Sequence, residues 1–240
     1  MPYEYTADAF AKAFERLYKT YASEAYPVND PRAVLLGGQS GSGKTTIHRI
    51  EKEHDPNVVI INGDEFRADH PQFKRICTET GDDFVMYTQS FANAMSNALI
   101  ERLSDEGYNL VIEGTLRTTD VPLASYDLLS DKGYSVELAV MATPVELSWQ
   151  GTIDRYNQML AAGIPARATT RENHDNIVNH IVSNLHELYN MRIFDNIVMY
   201  DRTKRCLYDM KKTPNVDPSK ILDMKLHSRT KAEREMRNER

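Results

Sequence analysis

The sequence predicts an α/β fold, a mostly parallel sheet with helices on both faces. Two observations carry this prediction. Short apolar runs alternate along the chain with segments whose apolar residues recur at helical spacing. The first run, Ala33-Val34-Leu35-Leu36, opens directly into Gly38-Gln39-Ser40-Gly41-Ser42-Gly43-Lys44-Thr45, and a helix-like stretch follows. Strands and helices in this alternation build a parallel sheet joined by crossover helices, with ligands at the carboxyl ends of the strands.

The elements follow in chain order. Phe10, Phe14, Leu17, Tyr18 and Tyr21 form one stripe on a helix of about four turns. That stripe suits packing on the core or reception of a partner, and residues 1–31 are read as an N-terminal helix packed on the core. In the glycine-rich segment, successive backbone N–H groups can face phosphate oxygens, and the next helix adds its positive N-terminal end. Gly38, Gln39, Ser40, Gly41, Ser42, Gly43, Lys44, Thr45 and Thr46 are therefore the candidate nucleotide-binding residues. Lys44 would reach the β- and γ-phosphates, and the Thr45 hydroxyl would meet Mg²⁺, a hard cation that prefers oxygen ligands.

Four further apolar runs read as strands: Val58–Ile61, Leu110–Ile112, Val136–Val140 and Ile197–Tyr200. Helical periods run from Phe84 to Glu106 and from Asn173 to Tyr189 between them. The segment Gly163-Ile164-Pro165-Ala166-Arg167-Ala168-Thr169, interrupted by Gly and Pro, reads as a mobile excursion, a lid near 155–172 of a core spanning 32–212. Beyond it, residues 213–240 read as a charged C-terminal extension, helical or frayed, with Ile221 to Leu226 followed by a mixed-charge run from Arg229 to Arg240.

The polar residues just after each strand are the candidates for chemistry. Asp64, in Asn62-Gly63-Asp64-Glu65-Phe66-Arg67, puts a carboxylate where a strand opens toward the phosphates. It can take the proton of an attacking hydroxyl, hold a water on Mg²⁺, or cap the next helix. In Glu113-Gly114-Thr115-Leu116-Arg117 an acid, a hydroxyl and a fixed cation make a substrate wall; Arg117 suits an anionic acceptor or a surface ion pair. Arg155 and Arg167 flank the excursion, where a lid arginine can neutralise charge on a moving phosphoryl group. His48, His70 and His174 are isolated within their segments and read as packing or surface residues.

Composition sets the outer limits. A chain of 240 residues with 41% apolar side chains can build a sizeable core, which argues against a disordered protein. A formal charge of −6 argues against a nucleic-acid-binding surface over the whole molecule, and clusters such as Lys211-Lys212 read as solvated. Cys77 and Cys206 lack metal-ligand spacing and read as reduced thiols of a cytoplasmic protein; no run approaches the roughly 20 apolar residues of a membrane span.

With these residues in view, the chain resembles the zeta toxins through GGQSGSGKTTIHRI, NGDEFRADHP, GYNLVIEGTLRTTDVP and ARAT, a match from about Arg32 to Asp209. The resemblance implies a P-loop kinase-like fold and ATP- and Mg²⁺-dependent phosphorylation of UDP-N-acetylglucosamine on the sugar 3′-hydroxyl, which starves cell-wall synthesis. It assigns the general base to Asp64, the ATP phosphates to Lys44 and its loop, and lid-side charge neutralisation to Arg155 and Arg167. It also implies substrate contacts at Thr115 and Arg117, with Glu113 nearby, and at Ser125, where the family carries a threonine. Asn97 stands where the family has an acidic substrate contact. A cognate antitoxin covering the nucleotide site is the implied partner. Two other readings remain open at this point: a kinase of another hydroxyl, such as an antibiotic or nucleoside, and a nucleotide-dependent switch.

Overall fold

The computed structural model describes residues 3–228. Its first helix, α1 (Ala7–Ser23), starts at Thr6, whose hydroxyl accepts from the Ala9 N–H. The aromatic stripe of α1 faces inward. Phe10 meets Phe91 edge to face at 5.6 Å, and Tyr21 meets Phe66 at 6.1 Å, so internal packing takes up the surface that sequence periodicity left open to a partner.

Six strands follow, interleaved with helices: β1 (Arg32–Gly37), α2 (Thr45–His54), β2 (Val59–Ile61), α3 (Phe73–Thr80), α4 (Phe84–Asp105), β3 (Leu110–Glu113), α5 (Asp120–Ser130), β4 (Ser135–Met141), α6 (Val145–Ala161), α7 (Arg171–Met191), β5 (Asn196–Tyr200), β6 (Cys206–Asp209) and α8 (Pro218–Leu226). The sheet order is β2-β3-β1-β4-β5-β6. Strands β1 to β5 pair in parallel, and β6 returns antiparallel against β5. β1 thus lies at the centre, with β2 and β3 on one side and β4 and β5 on the other.

Side chains alternate across β1. Ala33 and Leu35 point into a large core that α1, α4, α5, α7 and α8 cover, whereas Val34 and Leu36 point into a smaller one with Ile47 of α2, Val111, Ala139 and Met141. Burial on both faces explains why the central strands read as unbroken apolar runs.

Two readings need correction. β6 was not visible as a strand: Cys206-Leu207-Tyr208-Asp209 is short, and it is created by a tight turn in which the Asp201 carboxylate accepts from the Thr203 N–H at 3.0 Å and the Arg205 N–H at 3.2 Å. The stretch 218–226 is helical, one of the two forms expected, but it is not an appendage: it is α8, capped by Asp217 with Pro218 in its first turn, and Leu222 and Leu226 are buried in the main core. Lys211 and Lys212 pair with Glu137 and Asp209 at 2.9 and 3.0 Å. Residues 229–240, the charged run, lie outside the described residues.

Candidate active site

The sheet order places the carboxyl ends of β1, β2 and β3 side by side, and the site is built on them. From β1 the chain turns through the glycine-rich loop into α2. Gly41 adopts φ +70°, and a Cβ there would stand 2.1 Å from the Ser148 carbonyl oxygen; a Cβ at Gly151 would stand 2.6 Å from the Gly41 oxygen. The tip of the loop and the backbone of α6 touch because both positions are glycine. The Gln39 amide, wholly buried, donates to the Thr143 oxygen at 2.8 Å and to the Ser148 hydroxyl at 3.2 Å, while Thr143 donates to the Ser42 oxygen at 2.7 Å. Behind them, Ser148 meets His174 Nε2 at 2.9 Å, and His174 Nδ1 meets Asp175 at 3.1 Å. Ser148 and His174 are both fully buried, so this serine–histidine–aspartate chain is a strut between α6 and α7 that no acyl donor reaches.

Lys44 folds over the loop, its ammonium donating to the Gly38 oxygen at 3.0 Å and standing 3.6 Å from Glu113 at the end of β3. His48 lies one helical turn further along α2, and its Nε2 is 3.0 Å from the other Glu113 oxygen, off the line of the ring N–H. His48 is therefore not isolated, as its segment suggested, but borders the candidate site residue Glu113. The signal was present: Lys44 and His48 are four apart, so one face of α2 carries both toward Glu113. Burial pushes the Glu113 carboxyl up, but Lys44 and His48 outweigh it and hold the group below the usual carboxylate range.

Asp64 follows β2. It does not cap the short 3-10 turn Glu65–Asp69 with its side chain. Instead Oδ1 accepts from Arg67 Nε at 2.9 Å, and Oδ2 stands 2.5 Å from Arg167 Nη1 of the lid. Burial raises the Asp64 pKa, but Arg167 and Arg67, with Arg155 beyond them, overcome this and leave it lowered. Arg67 is itself buried and spends its other donors on the Val85 oxygen at 2.8 Å, the Thr88 hydroxyl at 3.2 Å and the Gln89 amide oxygen at 2.6 Å. The start of α4 thus fixes the arginine that fixes Asp64. Sequence reasoning passed over Arg67 because its partners lie some 20 residues away.

The lid runs from the end of α6 to the start of α7, where Thr170 caps the helix by accepting from the Asn173 N–H. Arg155, on α6, donates to the Thr169 hydroxyl at 3.3 Å; burial first, then the neighbouring Arg167, depresses its pKa. On the same helix Tyr156 donates to Asp82 at 2.7 Å, bridging the lid to the connection between α3 and α4. Buried side-chain atoms without a hydrogen-bond partner cluster around this cleft: Gln39 Oε1, Ser42 Oγ, His48 Nε2, Arg155 Nε and Arg167 Nη1. Arg155 Nε, without a partner, and Arg167, held to Asp64 by charge at 2.5 Å without a well-aligned hydrogen bond, stand where they fit a polyanion. The Thr45 hydroxyl, exposed at the first position of α2, fits an oxygen ligand of a phosphate-bound Mg²⁺.

The remaining candidates are distributed unevenly. Leu116 holds φ +56°, a left-handed conformation stabilised by the Asn184 amide donating to its carbonyl at 2.9 Å. Thr115 and Arg117 flank it; Arg117 is exposed and forms no ion pair among the described residues. Ser125 bonds back to the Val121 oxygen at 3.1 Å within α5. Asn97 is exposed on α4, and it is its neighbour Ser96 whose hydroxyl lies 2.8 Å from where a Cβ would stand at Gly63. His70 is buried against Tyr5 and Phe91.

A central strand opening into a glycine loop, flanked by a strand-end carboxylate and two lid arginines, defines an α/β protein with the P-loop kinase-like fold. The zeta toxin family model matches residues 17–213, and the chain belongs to the zeta toxin family. Toxin PezT of Streptococcus pneumoniae serotype 4 is 43% identical over 235 residues, covering 97% of this chain and 93% of that toxin. Toxin zeta of Streptococcus pyogenes is 42% identical over 202 residues, covering 83% of this chain and 70% of that one. A solved structure from the PezAT chromosomal toxin–antitoxin system of Streptococcus pneumoniae superposes with TM-score 0.86 at 41% identity, covering 98% of this chain and 93% of that chain. The complex of AvrRxo1-ORF1 with AvrRxo1-ORF2 and sulphate ions is alike in fold, with TM-score 0.63 at 16% identity over 92% of this chain and 73% of that chain. Among the described residues no helix is long and apolar enough to cross a membrane.

Proposed function

We propose that this zeta toxin is a kinase that transfers the γ-phosphoryl group of ATP to the 3′-hydroxyl of the sugar in UDP-N-acetylglucosamine, blocking cell-wall precursor synthesis. One observation carries this reading above the others: Asp64, set at a strand end beside the phosphate loop, has a lid arginine on one carboxylate oxygen and a buried arginine on the other. Lys44 and the loop amides hold the triphosphate. Incoming phosphates draw Arg167 and Arg155 from their resting partners, because a phosphate offers more charge and more acceptors than one carboxylate. Asp64 then loses its strongest counter-charge, its proton affinity rises, and its freed oxygen faces the acceptor hydroxyl.

The acceptor oxygen forms its bond to the γ-phosphorus as the bond from phosphorus to the ADP oxygen breaks; the hydroxyl proton passes to Asp64, and ADP leaves with the electron pair. The Thr45 hydroxyl would hold a phosphate-bound Mg²⁺, which would supply charge neutralisation on the nucleotide. Glu113, Thr115, Arg117, Ser125 and Asn97 form the acceptor wall in this reading, and Arg117, with no ionic partner among the described residues, takes the diphosphate of the nucleotide sugar. Residues 32–212 carry the chemistry, supported by 1–31 and by 213–228. A cognate antitoxin restrains the enzyme in the cytoplasm by covering the nucleotide site; the relative solved within a toxin–antitoxin system supports this.

Neutral, exposed Asn97 favours one second reading, phosphorylation of a different small-molecule hydroxyl. Incubation of the chain with Mg-ATP and UDP-N-acetylglucosamine, read by mass spectrometry with Asp64→Ala as control, decides between them. A product one phosphoryl group heavier from the wild type alone supports the nucleotide-sugar reading. Its absence, with ATP binding intact, moves the acceptor to another hydroxyl, found by presenting antibiotics and nucleosides in turn.

A further inference from the structure

Another arginine lies against the phosphate loop, on the β4–β5 side of β1 rather than the β2–β3 side that carries Asp64 and Glu113. Gly43 holds φ +92°, and a Cβ there would stand 3.2 Å from Arg202 Nε and 3.3 Å from Arg202 Cγ. Arg202 belongs to the turn between β5 and β6, which is firmly built: Asp201 accepts from Thr203 and Arg205, and Lys204 pairs with Glu53 near the end of α2. The turn therefore presents Arg202 to the loop from a fixed base. The side chain is exposed, and its guanidinium has no hydrogen bond or ion pair among the described residues.

The sheet order says which part of a nucleotide lies there. Asp64 follows β2 and Glu113 follows β3, both on one side of β1, and Lys44 leans toward Glu113 at 3.6 Å. The transferred phosphoryl group belongs on that side. A triphosphate threaded along the loop must then carry its nucleoside out on the other side, toward the ends of β4 and β5, where Arg202 stands. A planar, weakly hydrated guanidinium with no ionic partner is suited to lie on the face of an aromatic base.

We propose that Arg202 binds the nucleoside half of the triphosphate donor, stacking its guanidinium on the base. This rests on the nucleotide-binding reading above, and wild-type titration with ATP tests that reading first: no binding by the wild type overturns both. Given binding, calorimetric titrations of ATP into Arg202→Ala and Arg202→Lys, with inorganic tripolyphosphate as competitor, test the residue. Arg202→Ala is expected to raise the Kd for ATP about five- to tenfold, on the scale of a partly desolvated guanidinium–aromatic contact. Arg202→Lys, which keeps the charge and loses the plane, should recover little of this, and tripolyphosphate should compete equally with all three proteins. Unchanged ATP affinity in Arg202→Ala, full recovery in Arg202→Lys, or tripolyphosphate affinity falling in step with ATP would each overturn the stacking assignment, the last making Arg202 a phosphate contact. If tripolyphosphate does not compete even with the wild type, the lysine variant decides alone. Unchanged thermal midpoints are expected, since the side chain is exposed and without a partner among the described residues.

Discussion

At the scale of single residues, Asp64, the proposed base, and Arg67, which anchors it, are expected to respond differently to substitution. Asp64→Ala is expected to reduce acceptor phosphorylation by about 10²–10⁴-fold, the range of a positioned general base, with ATP affinity largely kept. Loss of ATP binding in that variant would reassign the carboxylate to the nucleotide. Arg67→Ala should behave differently. It strips a guanidinium from the Val85 oxygen, Thr88 and Gln89, and leaves Asp64 held from the lid alone. Unsatisfied buried groups of this kind cost about 1–3 kcal/mol, so a lowered unfolding midpoint in urea should accompany its loss of activity. An Arg67→Ala protein as stable as the wild type would contradict the anchoring role.

At the scale of elements, the contact between the phosphate loop and α6 carries the sharpest expectation. A methyl group at Gly151 would stand 2.6 Å from the Gly41 oxygen, so Gly151→Ala must push the loop and helix apart. Alanine favours the helix by about 1 kcal/mol over glycine, which offsets part of the strain. ATP affinity should therefore fall more steeply than stability, tenfold or more on the scale of an ångström-sized misplacement. Paired calorimetric and thermal measurements check this, and equal ATP affinity would mean the loop relaxes freely. The elements also show where sequence reading stops. The phosphate loop was legible because its residues are contiguous and its backbone demands glycine. Asp64 and Glu113 were legible because parallel strands deliver their carboxyl ends to one edge. The Arg67 anchor and the strut from Gln39 to His174 were not, since their members come together only when α4, α6 and α7 pack. β6 escaped for a related reason: an edge strand of four residues takes its identity from the partner it pairs with.

At the scale of the whole molecule, α1 and α8, near the two ends of the described chain, both belong to the main core. Leu222 of α8 is fully buried, and Leu222→Ala is expected to destabilise the protein by about 2–5 kcal/mol. One cooperative transition shifted to a lower midpoint should appear in calorimetry; two transitions would show α8 to be an independent unit. Acid stability also belongs to this scale. Asp64 and Glu113 both have depressed folded-state pKa values, so the folded protein takes up these protons less readily than the unfolded chain. Their contribution is complete above the ordinary carboxylate pKa and is lost as pH falls through the folded values, so thermal midpoints should decline from about pH 5 downward. A flat profile to pH 3 would contradict this.

The two bridges across the cleft, Arg167 to Asp64 and Tyr156 to Asp82, have a consequence in time. They bolt α6 and the lid to carboxylates on the facing wall, and in the kinase reading proposed above ligand entry is expected to undo them. If the kinase reading proposed above holds, opening is expected to set the pace of nucleotide arrival and departure, and a resealing lid is expected to discourage water from taking the phosphoryl group. Tyr156→Phe, which removes one bolt and leaves Arg167 in place, should quicken nucleotide exchange in stopped-flow traces and raise futile ATP hydrolysis. Unaltered exchange rates would leave the arginine bridge as the sole timekeeper.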